Sequence, residues 1–433
     1  MTVVQLHAKA SGRGPVVAKD GVIAALDMGS SKISCLIAEV VSAERNELRI
    51  LGVGHQLSRG VRCGSVVNVD EAERAIRLAV DAAERMAQRT ISKVYVNVSG
   101  GRPQSRLYAA SQPTQTGQVS PRDMDKVLSS ALAQVVKGHR SLLHLSPIQY
   151  HLDDARGIAA PLGMYGANLS IELAAVTVEP AHLHNLSLAL ERAHLTTAGF
   201  VISPYAAAKS VLAEDEMSLG VSLIDMGGAT TSFAIFHDGH LVFSDVIPLG
   251  GQHITNDIAR GLSTTIAHAE RMKTLWGSAL ASQVDEREMI AVPLLGERGV
   301  DTVQKVPKSM LAGIIRPRLE EIFELVRDRL EACEAAHFEA RRVVLTGGAS
   351  QLTGAREVAA EWLDRQVRLG LPAPMPGMPD STCSAGFAVS AGILKYALRP
   401  DTHYALPRQK ARETENARHG YMRQMGRWIA ESF

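Results

Sequence analysis

Apolar and polar positions recur along this chain with two different periods, and each change of period marks an element. Short runs rich in β-formers at 21–27, 33–41 and 46–54 predict strands. From Val69 to Gln88 the apolar residues fall instead at 72, 75, 76, 79, 80, 83 and 86, the spacing of an amphipathic helix. A glycine-punctuated loop, Ser58-Arg59-Gly60 through Gly64 to Asn68, precedes it. Residues 92–177 read as a separate module. A strand at 94–98 enters a Gly-Gly-Arg-Pro turn, and a helix opens at Ser120 with Pro121 in its first position and Asp123 in its first turn. Two β-rich stretches, 142–152 and 169–178, flank a Gly/Pro loop. Strand, helix, strand, strand predicts a small α+β insertion with no nucleotide site of its own.

The pattern continues with helices at 180–195 and 205–213, then β-like runs at 219–224, 230–236 and 240–247, the last two joined by the hairpin pair Asp238-Gly239. Helices are predicted at 255–262 and 264–276, a loop-rich stretch at 277–308, and a long helix at 310–336 with Pro317 as a kink or junction near its start. A strand at 342–346, a helix at 353–364, a strand at 367–369, a Pro/Gly loop and a helix at 382–398 complete the folded part. Residues 1–19 are small, polar and mildly basic, which predicts a disordered arm. Residues 399–417 read as a flexible tether. In the last residues Tyr421, Met422, Met425, Trp428, Ile429 and Phe433 share one helical arc opposite Arg423, Arg427 and Glu431, the pattern of an interfacial membrane helix.

Two stretches carry candidate chemistry. An apolar strand runs into Asp225-Met226-Gly227-Gly228-Ala229-Thr230, and another runs into Asp27-Met28-Gly29-Ser30-Ser31-Lys32; each is followed by a second strand. Glycines in such a bend let backbone N–H groups approach an anion. An aspartate beside phosphate oxygens makes sense when a divalent cation lies between them. One such turn alone is more often a plain β-turn, but two copies about 200 residues apart predict two similar lobes facing each other across a nucleotide. Gly250-Gly251 ends the third strand of the second copy, and Thr346-Gly347-Gly348-Ala349 is a third glycine turn at a strand-to-helix junction, where ribose or phosphate oxygens could dock. Glu270 and Lys273, three apart, share a helix face.

Composition narrows the classes. The 433 residues suffice for two to four domains, and 46% hydrophobic with 21% charged residues fits a soluble globular protein. A net charge of +1 and 4% aromatics give no case for nucleic-acid binding. Cys35, Cys63, Cys333 and Cys383 lie far apart without a CxxC pair, so neither a zinc site nor a disulfide framework is indicated and a reducing cytoplasm is the simplest home. His182 and His184 point different ways on one helix, and no other histidine spacing suggests metal ligation. No apolar run approaches the length of a membrane span, and the N-terminus carries no signal-peptide pattern.

The ordered set of motifs resembles the actin/heat-shock-ATPase/sugar-kinase superfamily and, within it, the FtsA family of bacterial cell division. The superfamily signals are the two Asp-x-Gly turns, Thr346-Gly-Gly-Ala, and Glu270 with Lys273; the narrower ones are Ser58-Arg59-Gly60 with Gly64 and Asn68, the insertion, Gly250-Gly251 with Ile254, Thr255 and Asp257, Arg316-Pro317-Arg318, and the amphipathic terminus. The resemblance implies an α/β, actin-like two-lobed ATPase fold with the inserted α+β subdomain at 92–177. Lobe 1 would comprise 20–91 and 178–198, with 371–398 closing on it. Lobe 2 would comprise 199–247 and 311–370, with an outer subdomain at 248–310; beyond the tether, 418–433 would be a separate amphipathic membrane-targeting helix. It implies ATP with Mg²⁺ in the interlobe cleft. Asp27 and Asp225 would hold the hydrated cation, and Gly29, Ser30, Ser31 and Lys32 would face the β- and γ-phosphates. Gly227, Gly228, Ala229 and Thr230 would cradle phosphate from the other lobe, with Gly250 and Gly251 close by. Glu270 and Lys273 would approach ribose or adenine, and Gly347, Gly348 and Ala349 would pack beside the nucleotide.

The implied partners are copies of the chain in an actin-like filament, FtsZ through the outer part of lobe 2, later division proteins through 92–177, and lipids of the inner membrane's cytoplasmic face. Three departures stand out. Ala229 occupies a position that is often glycine, Ser232 one that is often acidic, and Ser203-Pro204-Tyr205-Ala206 lacks the Glu or Gln that positions an attacking water. Binding with slow or negligible hydrolysis is therefore expected. A sugar-kinase-like phosphotransferase would need a catalytic Asp facing an alcohol, for which no candidate stands out. An actin-like scaffold of pilus or secretion assembly shares fold and nucleotide motifs but does not call for the Trp/Arg-rich terminal helix.

Overall fold

The computed structural model describes residues 21–43, 45–136, 139–280, 286–295, 303–338 and 341–398. The predicted arm (1–19), tether (399–417) and terminal helix (418–433) lie outside the described residues. The chain begins with an antiparallel meander, β1 (Val22–Met28), β2 (Lys32–Ser42) and β3 (Glu47–Leu57). A two-residue ladder, β4 (Val61–Arg62) and β5 (Ser65–Val66), leads to helix α1 (Val69–Ala87). Asn68 starts α1 by accepting the Asp70 and Glu71 amides, and Gln88 ends it in the left-handed region. Strand β6 (Lys93–Val98) then returns to pair in parallel with β1. That pairing corrects the expected start of the insertion: 93–98 belongs to lobe 1, where its nearly all-buried apolar run fills the middle of a sheet.

The insertion consists of β7 (Gln104–Pro113), α2 (Pro121–Val136), β8 (Ser141–Leu152), β9 (Ala155–Ile158) and β10 (Asn168–Val178), with sheet order β7-β10-β8-β9. Its own core joins Val127, Leu128, Ala131 and Leu132 of α2 to Leu145, Leu169, Ile171 and Leu173 of the sheet. Asp123 accepts from the Ser120 backbone N–H and hydroxyl, fixing the start of α2 at the predicted place.

Helix α3 (Pro180–Arg192), β11 (Thr196–Ile202) and α4 (Ser203–Val211) follow. Because β11 pairs in parallel with β6, residues 199–202 also belong to lobe 1 and not, as expected, to lobe 2. After α5 (Glu214–Leu219), which takes up residues predicted to begin a strand, lobe 2 repeats the plan: β12 (Val221–Met226), β13 (Thr231–His237) and β14 (His240–Ile247) form a meander. Asp238 and Gly239 both adopt positive φ at its hairpin, as a twisted two-residue turn demands. Helices α6 (Gly251–Gly261) and α7 (Ile266–Trp276) precede β15 (Met289–Pro293) and β16 (Val303–Pro307), a hairpin inside the stretch predicted as loop. Pro317 lies within α8 (Ser309–Glu331), which is continuous through it. Then come β17 (Arg342–Thr346), α9 (Ala355–Leu363), β18 (Gln366–Leu369) and α10 (Ala388–Leu398), the last starting six residues later than predicted because 3₁₀ turns occupy 380–387.

The two main sheets have one topology. Sheet order β3-β2-β1-β6-β11 matches β14-β13-β12-β17-β18, a meander with two parallel strands added beside its first strand. Register repeats too: Asp27 lies opposite Ser34, and Asp225 opposite Ser232. Helices α4 and α10 lie between the sheets, and one buried cluster takes Ile23, Ala25 and Leu36 from lobe 1 and Leu223, Ala234 and Phe236 from lobe 2. The rings of Tyr95, Tyr205 and Tyr396 meet edge-on there, and His144 of the insertion joins them 5.1 Å from Tyr205.

Helix α10 crosses α4 so closely that a Cβ on Gly392 would sit 1.6 Å from the Ala206 carbonyl oxygen. Gly392→Ala therefore forces the helices apart. We expect it to destabilise the protein by about 1–3 kcal/mol, seen as a lower denaturation midpoint, whereas Gly313→Ala, where nothing lies within 4 Å, stays close to wild type.

Candidate functional site

Each lobe ends its first strand in a hairpin closed in the same way. Gly29 N–H donates to the Lys32 carbonyl at 3.0 Å, and Gly227 N–H to the Thr230 carbonyl at 2.9 Å. The hairpin tips meet between the lobes: a Cβ built on Gly228 would fall 1.8 Å from Ser31 Oγ. The Gln252 side-chain amide bridges the same gap, donating to Ser31 Oγ at 3.2 Å. Ser30 Oγ accepts the Gly64 N–H, which ties the glycine-punctuated loop to the first hairpin.

Asp27 and Asp225 stand at the ends of β1 and β12, each with only 8% of its surface exposed. Burial lifts the Asp27 carboxyl to about 6, against the pull of Lys32 and a hydrogen bond from Ser390. Burial and the Asp27 charge lift Asp225 to about 7, with Ser232 opposing weakly through its hydroxyl. Two buried acids, one raising the other's proton affinity, make a site that attracts positive charge. Lys32, its affinity for a proton lowered to about 8 by burial, is a cation whose charge acts on Asp27. Among the described residues no three His, Cys, Asp or Glu side chains cluster as metal ligands. A hydrated divalent ion held here would therefore draw its other ligands from water and from the molecule it accompanies.

The third glycine turn closes on the second hairpin. Gly347 has φ +88, and a Cβ there would lie 2.4 Å from Asp225 Oδ1, so only glycine fits beside that carboxylate. A Cβ built on Gly348 would meet nothing within 4 Å. Ala349 packs toward Gly251, whose built Cβ would sit 3.1 Å from its methyl. Thr230 and Ala229 are buried in the second hairpin.

Gly250 and Gly251 lie against the second hairpin, with their amides engaged inside the protein. The Gly251 and Gln252 amides donate to the Gly227 and Gly228 carbonyls, and Gly250 N–H donates to His253 Nδ1. The start of α6 thus supports the hairpin and has no free donors at Gly250 or Gly251. Lys273 Nζ donates to Glu270 Oε2 (2.7 Å), Thr255 Oγ1 (2.8 Å) and the Gly251 carbonyl (3.1 Å), so its three donors are engaged and Glu270 is the more accessible of the pair.

Several residues at this site gave little sequence signal. Asn97 accepts the Met28 N–H at 2.7 Å and donates to Ser203 Oγ, whose own proton goes to the Val98 carbonyl. The Ser203 hydroxyl is buried and committed. Ser390 Oγ donates to Asp27 Oδ2, and Lys32 Nζ donates to the Gly386 carbonyl. Asn97 and Ser390 are polar residues inside apolar runs, which was the only available clue.

Residues 222–392 match the family described as Cell division protein FtsA, and residues 100–177 match the SHS2 domain inserted in FTSA. The Cell division protein FtsA of Agrobacterium fabrum is 41% identical over 420 residues, 95% of each chain. The chain belongs to the FtsA family of cell-division proteins. FtsA of Pseudomonas aeruginosa is 34% identical, covering 87% of this chain and 89% of its own, and that of Escherichia coli 29%, covering 95% and 98%. The insertion match starts at 100, after β6, in agreement with the sheet pairing. The fold is actin-like. It aligns with a PilM–PilN type IV pilus biogenesis complex at TM-score 0.61 and 16% identity, over 87% of this chain and 99% of that one. It also aligns with MreB 5 of Spiroplasma citri bound to AMPPNP at 0.50 and 12%, over 87% and 95%. At these identities the likeness to those two structures is one of fold, whereas the FtsA relatives share sequence along nearly the whole chain.

The two lifted carboxyls give a pH signature. Each binds its proton more tightly in the folded state, so this pair favours folding below about pH 4 and opposes it progressively as pH rises through 6 and 7. Asp225→Asn should stabilise the nucleotide-free protein by up to 2–4 kcal/mol on the order of magnitude at pH 8, an advantage that shrinks toward pH 4. Chemical denaturation across that range measures it; a constant difference would contradict the assignment.

Proposed function

We propose that this FtsA-family chain is a nucleotide-gated scaffold. It binds ATP with Mg²⁺ between its two hairpins, polymerises, recruits FtsZ through the outer part of lobe 2 and later division proteins through the insertion. Its last residues hold it on the cytoplasmic face of the inner membrane at the division site. The observation that carries the reading is the repeated buried carboxylate, Asp27 and Asp225, each ending a strand at a glycine hairpin and coupled by charge. A hydrated magnesium ion fits between two such groups, and it would supply the positive charge that lets both stay ionised beside phosphate.

This chain's residues divide the work of binding. Lys32 adds a cation on the lobe 1 side, and the open backbone at Gly348 admits an anionic group close to the main chain. Glu270, exposed over half its side chain, is placed to accept ribose hydroxyls. The buried, committed Ser203 hydroxyl cannot orient a water for attack, which supports slow hydrolysis or none.

For the membrane, the support is the apolar arc of Tyr421, Met422, Met425, Trp428, Ile429 and Phe433. No helix of the described residues is long and apolar enough to cross a bilayer. A single interfacial helix binds weakly, so assembly into a filament would multiply its hold.

Calorimetry should show magnesium-dependent ATP binding to the full chain, reduced at least tenfold by Asp225→Asn. Phosphate release should stay slow; brisk, Asp225-dependent turnover would overturn the scaffold reading. Co-sedimentation with anionic vesicles should occur for the full chain and be lost on removal of residues 421–433.

A further inference from the structure

The closing segment, residues 384–390, lies apart in sequence from every glycine turn, yet it reaches both lobes' hairpin elements. The ammonium of Lys32 lies 3.1 Å from the centroid of the Phe387 ring and donates to the Gly386 carbonyl at 2.9 Å. His55 of β3 meets the same ring edge-on at 5.8 Å. One turn further on, the single proton of Ser390 goes to Asp27 Oδ2. Ser34, whose oxygen lies 2.8 Å from that of Ser390, must therefore be the donor to it. A Cβ on Gly386 would stand 3.8 Å from both Gly348 Cα and Lys32 Nζ, so this segment touches the lobe 2 turn as well.

Both charged groups of the first hairpin are thus oriented from outside it. A lysine ammonium has three donors; one is given to Gly386 and one faces the ring, which leaves the third for an anion in the cleft. A carboxylate held at one oxygen by Ser390 presents the other. We propose that Phe387 and Ser390 are positioning residues of the nucleotide site: Phe387 holds Lys32 toward the phosphates, and Ser390 holds Asp27 toward the cation. The closing segment is then a third wall of the site, and its docking and nucleotide binding strengthen each other by the same factor. This inference rests on the nucleotide reading of the cleft. Its reach is toward the C-terminus, because the segment runs directly into α10 and then into residues 399–433.

The test uses the full chain and Mg-AMPPNP, with affinity read by calorimetry. Phe387→Leu should weaken binding about tenfold and Ser390→Ala about three- to tenfold, while Phe387→Tyr, which keeps the ring face, stays within about twofold of wild type. In a Lys32→Ala background, Phe387→Leu should change affinity less than about twofold, because the group it holds is gone. Hydrogen exchange supplies the reciprocal reading: amides of 384–398 should exchange more slowly when Mg-AMPPNP is added to wild type, and show no slowing in Lys32→Ala. Wild-type affinity in Phe387→Leu, or an equal loss in the Lys32→Ala background, overturns the positioning role while leaving the nucleotide reading intact. No binding by wild type overturns both.

Discussion

The fold is arranged around a repulsion. Asp27 and Asp225 are buried, near enough for the charge of one to act on the other, and hold their protons more tightly than carboxyls in water do. Left to themselves they would favour a cleft that opens or a proton that stays. What keeps them together is the shared core behind them, where α4 and α10 pack between the two sheets and contribute to one apolar cluster with both. Apolar burial on this scale outweighs the strain of a single like-charged pair. The consequence is a site that prefers to be filled by positive charge, and hence by whatever brings that charge with it.

Much of this was legible in the sequence because it depends on local chemistry. The Asp-Met-Gly bends, the Asp238-Gly239 hairpin, the Ser120–Asp123 helix start and the α1 stripe each follow from a few adjacent residues, and the structure has all of them. The fold class was legible for a different reason: the same bend occurs twice. What stayed hidden depends on partners distant in the chain. Strand 93–98 reads equally well as the first strand of an insertion or the fourth of a sheet, and only its pairing with β1 decides. The β15–β16 hairpin pairs a five-residue apolar run, Met289–Pro293, with the mostly exposed, mixed segment Val303–Pro307, and only that pairing makes strands of both.

The site shows the same division. Residues predicted to line it do converge, from Ser31 against Gly228 to Gly347 against Asp225. Their tasks were harder to foresee, because backbone donors and acceptors are invisible in a sequence. The amides of Gly250 and Gly251 are used within the protein, and so are all three donors of Lys273. Asn97, Ser203 and Ser390 sit in apolar runs and acquire meaning only when the strand ends and α10 are brought together.

Several contacts join the insertion to the opposite lobe, and Ile148 and Ala174 lie in the lobe 2 core cluster. Ser105, at the start of β7, accepts the Ser244 N–H through its hydroxyl oxygen and donates back to the Ser244 carbonyl on β14, while Glu334 just beyond α8 takes the Leu107 N–H. The insertion is covalently rooted in lobe 1 and fastened by these bonds to lobe 2. Any rotation that widens or narrows the angle between the lobes must break that fastening or swing the insertion as an outrigger. A small hinge movement would then be delivered to the insertion's outer end as a larger displacement.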